Sequence, residues 1–585
     1  YFEAYNNIGV TYSSLKKSNK AIECFNKAIQ INPSYAEAYN NKGNALKDKE
    51  EYQLAIDCYE KSRNLKVNYI EPITNLGIVW DLMNDFTKSE RYFKQALSID
   101  PTNTSVLYNL ANCYFNAGQF EQSIHVCEKI IDLDQSFYFA YNRIGLCCIQ
   151  LESEEKAIVF FEKAIRINPD YAEALTNYGF MLQKNRNYSL ATLQFEKALH
   201  VDPTNDEALL NLSKSYFDEG RLPKSIEIAQ KSLSSKPKNI PMLKNLIASL
   251  LLLNRFEEAS VACKRILSIN NDDADAINLI GTIYEKQGLY EEAKKHFLKA
   301  LELDKNLVQA KINIATIHQL EGKIEKANKI YTDLIKEFPE NAEILYRKSA
   351  FSLQMENFGE GWRYYEYRWK VFPMNRVTWP IQDMPLWKGE EGKKIALWKE
   401  QGIGDQILFL SLLPEVQQMC SSLSVYIDPR LHSLCRRAMP DINFVKDIDE
   451  LQNVDCDYNL PLGSVPGLIR NDISDFDRTV NGYLKADQQR VDAIRKELKL
   501  EGKTAIGISW KSFNTGYKTK SICLRDMERM FAGLDVVLVN LQYGDVADEI
   551  KEFKEETGIE VLQCASVDNR EDLDGLAALI EACDL

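Results

Sequence analysis

A 34-residue frame fits the first two thirds of this chain without an insertion. With position 1 at Phe2, position 8 falls on Gly9, Gly43, Gly77, Ala111, Gly145, Gly179, Ser213, Ile247, Gly281, Ala315 and Ser349. All but Ile247 are small. Position 20 falls on Ala21, Ala55, Ser89, Ser123, Ala157, Ala191, Ser225, Ala259, Ala293, Ala327 and Gly361, all small. Position 24 is usually large, as in Phe25, Tyr59, Phe93, Phe161, Phe195, Phe297, Tyr331 and Tyr365. Position 32 carries Pro33, Pro101, Pro169, Pro203, Pro237 and Pro339. Small residues at 8 and 20 let two antiparallel helices approach, and the large side chain at 24 fills the space they leave. Proline ends the second helix because it lacks an amide donor and restricts the residue before it. One such hairpin cannot bury its own apolar face, so eleven of them, over residues 2–375, must stack.

This pattern resembles the tetratricopeptide repeat. The resemblance implies an all-α superhelix over residues 1–375. Position 6, on the first helix of each repeat, reads Asn7, Asn41, Asn75, Asn109, Arg143, Asn177, Asn211, Asn245, Leu279, Asn313 and Arg347. Asparagine costs a helix roughly 0.5 kcal/mol relative to alanine, so eight of them need an offset. First helices of stacked hairpins line a concave surface. An amide there donates and accepts at once, and each contact to a peptide backbone contributes about 1 kcal/mol. The alternative is that the amides bond to neighbouring helices and set the stacking. The ladder is similar to the one lining the superhelix of the O-GlcNAc transferases, which implies a polypeptide in the concave groove.

Charge limits the partners. Seventy-one basic against 85 acidic side chains leave a net charge of −14. No positive field draws in phosphates, so no nucleic-acid partner is expected. No apolar run approaches the ~18 residues that a membrane span needs. Thirteen cysteines show no CxxC pair and no metal-ligand spacing, which predicts a reduced, cytoplasmic chain without a metal. The first residues already read as helix, so the sequence reads as a piece of a longer protein.

The eleventh repeat ends in Gly361-Trp362-Arg363-Tyr364-Tyr365-Glu366-Tyr367-Arg368-Trp369. Positions 362, 365 and 369 share a helical face. They are expected to seal the end of the repeats against the next domain rather than to read nucleic acid. Prolines 373, 380 and 385 mark a connector, 376–390. Short apolar strands then alternate with helices, which implies parallel sheets. Two lobes are expected, 391–500 and 501–585.

In such folds ligands bind beyond the carboxyl ends of strands. Two loops qualify. In Glu400-Gln401-Gly402-Ile403-Gly404-Asp405, the glycines Gly402 and Gly404 allow close backbone approach. Asp405 sits at a helix start, where its charged form is stabilised and suits a general base for a hydroxyl. The competing role is a helix N-cap. The second loop, Ser509-Trp510-Lys511-Ser512 with Lys518, Lys520 and Ser521, suits a diphosphate. The competing reading is a solvated basic loop. Gln542 is placed at the same edge. No dinucleotide fingerprint and no P-loop is present.

Pro385-Leu386-Trp387-Lys388-Gly389, the Glu400–Asp405 loop, Leu460-Pro461-Leu462-Gly463-Ser464-Val465-Pro466 and Gly507-Ile508-Ser509-Trp510 are similar to motifs of glycosyltransferase family 9, the heptosyltransferases. That resemblance implies a two-lobed GT-B fold with Rossmann-like lobes, the second truncated. It also implies an acceptor-activating role for Asp405, and a basic residue near the donor phosphates at Lys518 or Lys520. It implies no cofactor beyond a nucleotide sugar as co-substrate. As the donor lobe is shorter than in that family, the fragment is expected to be weak or inactive. The functional expectation is a glycosyltransferase whose repeats recruit a polypeptide acceptor. The alternative is a binding scaffold with a degenerate α/β cap.

Overall fold

The computed structural model describes residues 1–371, 381, 384–478, 482–511, 521–531 and 533–585. The chain forms two compact units, Tyr1–Ser232 and Leu233–Leu585. The first consists of helix hairpins. The second holds four further hairpins, from Ile240–Leu252 to Phe358–Tyr365, and an α/β region.

The hairpins follow the 34-residue frame. In the fifth, Tyr138–Gln150 runs against Glu154–Ile167. Gly145 lies under the Phe161 ring, and a Cβ there would stand 2.5 Å from it. The same glycine-under-ring pair recurs at Gly9 and Phe25, Gly43 and Tyr59, Gly77 and Phe93, Gly179 and Phe195, and Gly281 and Phe297. Where position 8 is the large Ile247, position 24 shrinks to Cys263, and both are fully buried. Volume at the two positions is therefore complementary, as close packing requires.

Between the two helices of each repeat one residue takes the left-handed conformation, eleven times at 34-residue spacing from Lys16 to Glu356. Only Gly118, Gly220, Gly288 and Gly322 are glycines there. All thirteen cysteines are free thiols. Among the described residues, no helix is long and apolar enough to cross a membrane.

The α/β region contains two parallel sheets. The first comprises β1 (Lys393–Trp398), β2 (Cys420–Tyr426), β3 (Asn443–Val445) and β4 (Tyr458–Pro461), in the order β3-β2-β1-β4. The second comprises β5 (Thr504–Ile508), β6 (Val536–Asn540) and β7 (Val561–Leu562), in the order β5-β6-β7. The backbone of Asp584 and Leu585 bonds to Ala505 and Gly507 of β5. Leu397 faces Val425 on one side and Leu460 on the other, in a core with Phe409, Leu413 and Phe444.

Several boundaries differ from the sequence reading. The described end of the supposed connector belongs to the first sheet: Asn459 N–H donates to Pro385 O (3.0 Å) and Trp387 N–H donates to Asn459 O (2.9 Å). Burial of Trp387 in the sheet core explains this. Ser509 and Trp510 lie past the end of β5. Leu524–Met527 forms a 3-10 turn that leads into the short helix Glu528–Phe531.

The aromatic run does pack onto the α/β region. Trp362 packs against the first-sheet core, and the Trp369 ring lies 5.8 Å from Trp398. Apolar burial accounts for the placement of Trp362 and Trp369.

Candidate functional site

On the repeats, the expected asparagines occupy the first helices, but their surroundings differ. Asn7 is exposed, Asn41, Asn75, Asn109, Asn177, Asn211 and Asn245 are half-buried, and Asn313 is buried. Four of these amides donate to an asparagine at position 5 of the preceding repeat: Asn41 to Asn6 (3.0 Å), Asn75 to Asn40 (2.9 Å), Asn177 to Asn142 (2.9 Å) and Asn313 to Asn278 (3.1 Å). Each bond spends one of the two amide N–H groups on stacking. Asn109, Asn211 and Asn245 follow repeats whose position 5 is Thr74, Thr176 and Leu210. Stacking bonds thus occupy part of the row that the sequence reading assigns to binding. The missed partners had a visible signal, a second asparagine beside the first in the same frame.

In the second compact unit, the loop after β1 forms a buried polar cluster. Glu400 is almost fully buried and accepts from Arg368 Nη2 (3.1 Å) and Gly463 N–H (3.0 Å). Arg368, equally buried, also donates to Ser464 Oγ (2.7 Å) and lies between the Tyr365 and Trp369 rings. A side chain at residue 463 would collide with the Glu400 carboxylate, so that position needs glycine. Burial raises the Glu400 pKa to about 7, against the opposing pull of Arg368. Gln401 donates to the Tyr365 hydroxyl, and the buried Gln406 ties the Gln401 carbonyl to the Asp428 amide. Three stretches singled out in the sequence therefore meet here, and Glu400 and Arg368 emerge as their link.

Asp405 is not the N-cap of its helix. Gly402 is the N-cap of Ile403–Leu410, and Asp405 lies in the first turn with its side chain exposed. Gly402 has an ordinary φ of −63°, and a Cβ on Gly404 would meet open space. Neither the backbone nor packing requires these two glycines, which leaves room beside Asp405. The Asp405 charge also reaches Tyr346, on the first helix of the eleventh repeat. Burial raises the Tyr346 hydroxyl pKa, Arg347 and Arg368 oppose the rise, and Glu343 and, least of all, Asp405 add to it.

The second loop is occupied by protein groups. Gln542 is buried, and its Oε1 accepts from Ser509 Oγ (3.1 Å), Trp510 N–H (3.1 Å) and Lys511 N–H (2.9 Å). Lys511 Nζ pairs with Glu549 at 2.5 Å. Gln542 thus organises the loop, and the Lys511 charge is matched by a carboxylate. Lys518 and Lys520 lie outside the described residues.

Models of the tetratricopeptide repeat match residues 2–35, 138–171 and 274–307, residues 82–142 and 182–250, residues 24–57 and 160–192, and residues 309–341. Tetratricopeptide repeats thus run through the N-terminal part of the chain. Protein FlbA of Caulobacter vibrioides is 29% identical over 274 residues, 42% of this chain and 45% of that protein. The chain spans less than half the length of this curated relative. Among solved structures, YrrB, described as a TPR protein with an unusual peptide-binding site, is 23% identical (TM-score 0.26), covering 32% of this chain and 97% of YrrB. Yeast Tom70 is 14% identical (TM-score 0.34), covering 63% of this chain and 91% of Tom70.

Proposed function

We propose that the repeats hold an extended polypeptide along their first helices and that the α/β region is a glycosyltransferase acting on it from a nucleotide-sugar donor. The observation that carries this reading is the contact between the Glu400–Asp405 loop and the last repeat: Gln401 donates to the Tyr365 hydroxyl, and the Tyr365 ring lies 6.2 Å from that of Tyr346 on the first helix of that repeat. The candidate base lies in an open glycine-flanked turn beyond a parallel strand, in the loop that Gln401 ties to the last repeat. A polypeptide hydroxyl carried along that row would reach a carboxylate able to take its proton. Gly402 and Gly404 leave space for the sugar, and Ser509, Lys511, Lys518, Lys520 and Gln542 stand as the donor-side candidates. For Lys511 this requires the donor phosphates to displace Glu549.

A second reading, a polypeptide-binding scaffold with a non-catalytic α/β cap, is favoured by one observation. Lys511 and Gln542 are already engaged by Glu549 and by the loop backbone. Calorimetric titration of the full-length protein with UDP-, GDP- and ADP-sugars separates the two. A one-to-one binding heat for one of them, with turnover abolished and binding kept in Asp405→Asn, supports the transferase. Silence across the panel supports the scaffold.

A further inference from the structure

The asparagine row breaks at Arg143, and the break coincides with a change in charge. Position 2 of the first helix is acidic at Glu3, Glu37 and Glu71, and again at Glu173 and Glu207. In the fourth and fifth repeats it is Ser105 and Phe139. Across Thr104–Asn116 and Tyr138–Gln150, Arg143 is the only charged side chain. An acidic stripe thus gives way to one cation on an otherwise uncharged wall.

The cation is held in place but not neutralised. Its guanidinium lies 4.7 Å from the centre of the Phe115 ring and 6.0 Å from that of Tyr108. Tyr108 in turn packs on Phe137 and Phe139. Arg143 Nε is shielded from solvent and has no hydrogen-bond partner. Among the described residues no carboxylate lies within ion-pair distance of it. The carboxylate of the next first helix, Glu173, is taken by Asn142 Nδ2 (3.0 Å) and the Tyr171 hydroxyl (3.0 Å). The other arginine of the row, Arg347, pairs with Glu343 (2.8 Å). A guanidinium held beside two aromatic rings presents its planar fork of donors from a set position, which suits a carboxylate.

We infer that Arg143 is a register site, which binds an acidic side chain, flanked by apolar residues, of the polypeptide held along the repeats. The inference rests on the polypeptide reading above. Without such an anchor, backbone-directed amides would let an extended chain slide by one residue. One charge-assisted contact fixes which residue stands where.

The test uses fluorescence anisotropy of the full chain with two labelled, C-terminally amidated fifteen-residue peptides of Ser, Thr and Ala. One carries a central Leu-Glu-Phe and the other Leu-Gln-Phe. The Glu peptide is expected to bind about tenfold tighter at low salt. Arg143→Gln should abolish that preference by weakening the Glu peptide alone. Arg143→Lys should keep part of it, and Arg347→Gln should leave it intact, with folding checked by circular dichroism. Equal binding of both peptides by the wild type, or a preference that survives Arg143→Gln, overturns the register site and leaves the polypeptide reading standing. Binding of neither peptide overturns both.

Discussion

A buried carboxylate facing a buried guanidinium is the most consequential pair at the residue scale. Removing Arg368 leaves Glu400 without its cation, a change that costs about 3–5 kcal/mol when the remaining charge must stay ionised. With the Glu400 pKa raised to about 7, neutralisation gives a partial escape. Arg368→Met is therefore predicted to be strongly destabilising at pH 8 and milder at pH 5, read from chemical denaturation at the two values. The sign for the wild type follows from the same shift. A folded-state pKa above the unfolded one means that the folded state binds the extra proton. Stability from Glu400 is then full below the unfolded value and is lost as pH rises through about 7. Glu400→Gln should flatten that part of the pH profile, and an unchanged slope would remove Glu400 as its source. The sequence displayed both partners inside quoted motifs but gave no sign that they meet, because thirty-odd residues of connector and strand intervene. A second residue-scale prediction concerns Gly145. A methyl group there strikes the Phe161 ring, so Gly145→Ala should cost about 1–3 kcal/mol by overpacking. Adding Phe161→Leu should recover part of the loss in a double-mutant cycle.

Element-scale order comes from the hairpin and its turn. Position 8 against position 24 was legible from the sequence, since small and large residues alternate at fixed spacing. Even the exception at Ile247 and Cys263 obeys the same volume rule. The left-handed turn residue was not legible, because Lys16, Glu50, Asn84, Glu152, Arg186, Asn254 and Glu356 stand where glycine would have marked it. A side chain there costs roughly 1–2 kcal/mol, partly offset by the greater chain entropy glycine loses on folding, about 0.5–1 kcal/mol. Arg186→Gly, at φ 61°, should therefore stabilise its hairpin by several tenths of a kcal/mol to about 1 kcal/mol. Hydrogen exchange of the flanking helices would read this as slower opening, and faster exchange would contradict it. The ladder belongs to this scale too. Asn177→Ala strips the buried Asn142 carbonyl of its donor, so it should destabilise as well as weaken binding. That substitution alone therefore cannot separate the two roles. The α/β elements were legible as alternation, and their edges were not. Residues 384–390 read as connector because prolines mark it, yet Trp387 draws the segment into the sheet core.

At the scale of the whole molecule, a repeat array and two parallel sheets occupy one chain, and the proposed function rests on a polypeptide held by the repeats. The array was legible because its signal recurs eleven times, so chance agreement at single positions averages out. The candidate site was only partly legible. Asp405 was proposed from its loop, but the contact of that loop with the last repeat, Gln401 to the Tyr365 hydroxyl, is a product of tertiary packing that no local pattern encodes. The second loop reads as cationic from composition, while the structure matches Lys511 with Glu549 from the helix Ala547–Thr557. The most direct test of the account is the affinity of the full chain for an extended Ser-Thr-Ala peptide before and after Asn109→Ala with Asn211→Ala. These two asparagines follow threonine rather than asparagine at position 5, so truncating them does not strip a buried asparagine of its donor. Two amide contacts of about 1 kcal/mol each predict roughly thirtyfold weaker binding with an unchanged thermal midpoint. An unchanged dissociation constant would contradict the claim that this row holds a polypeptide.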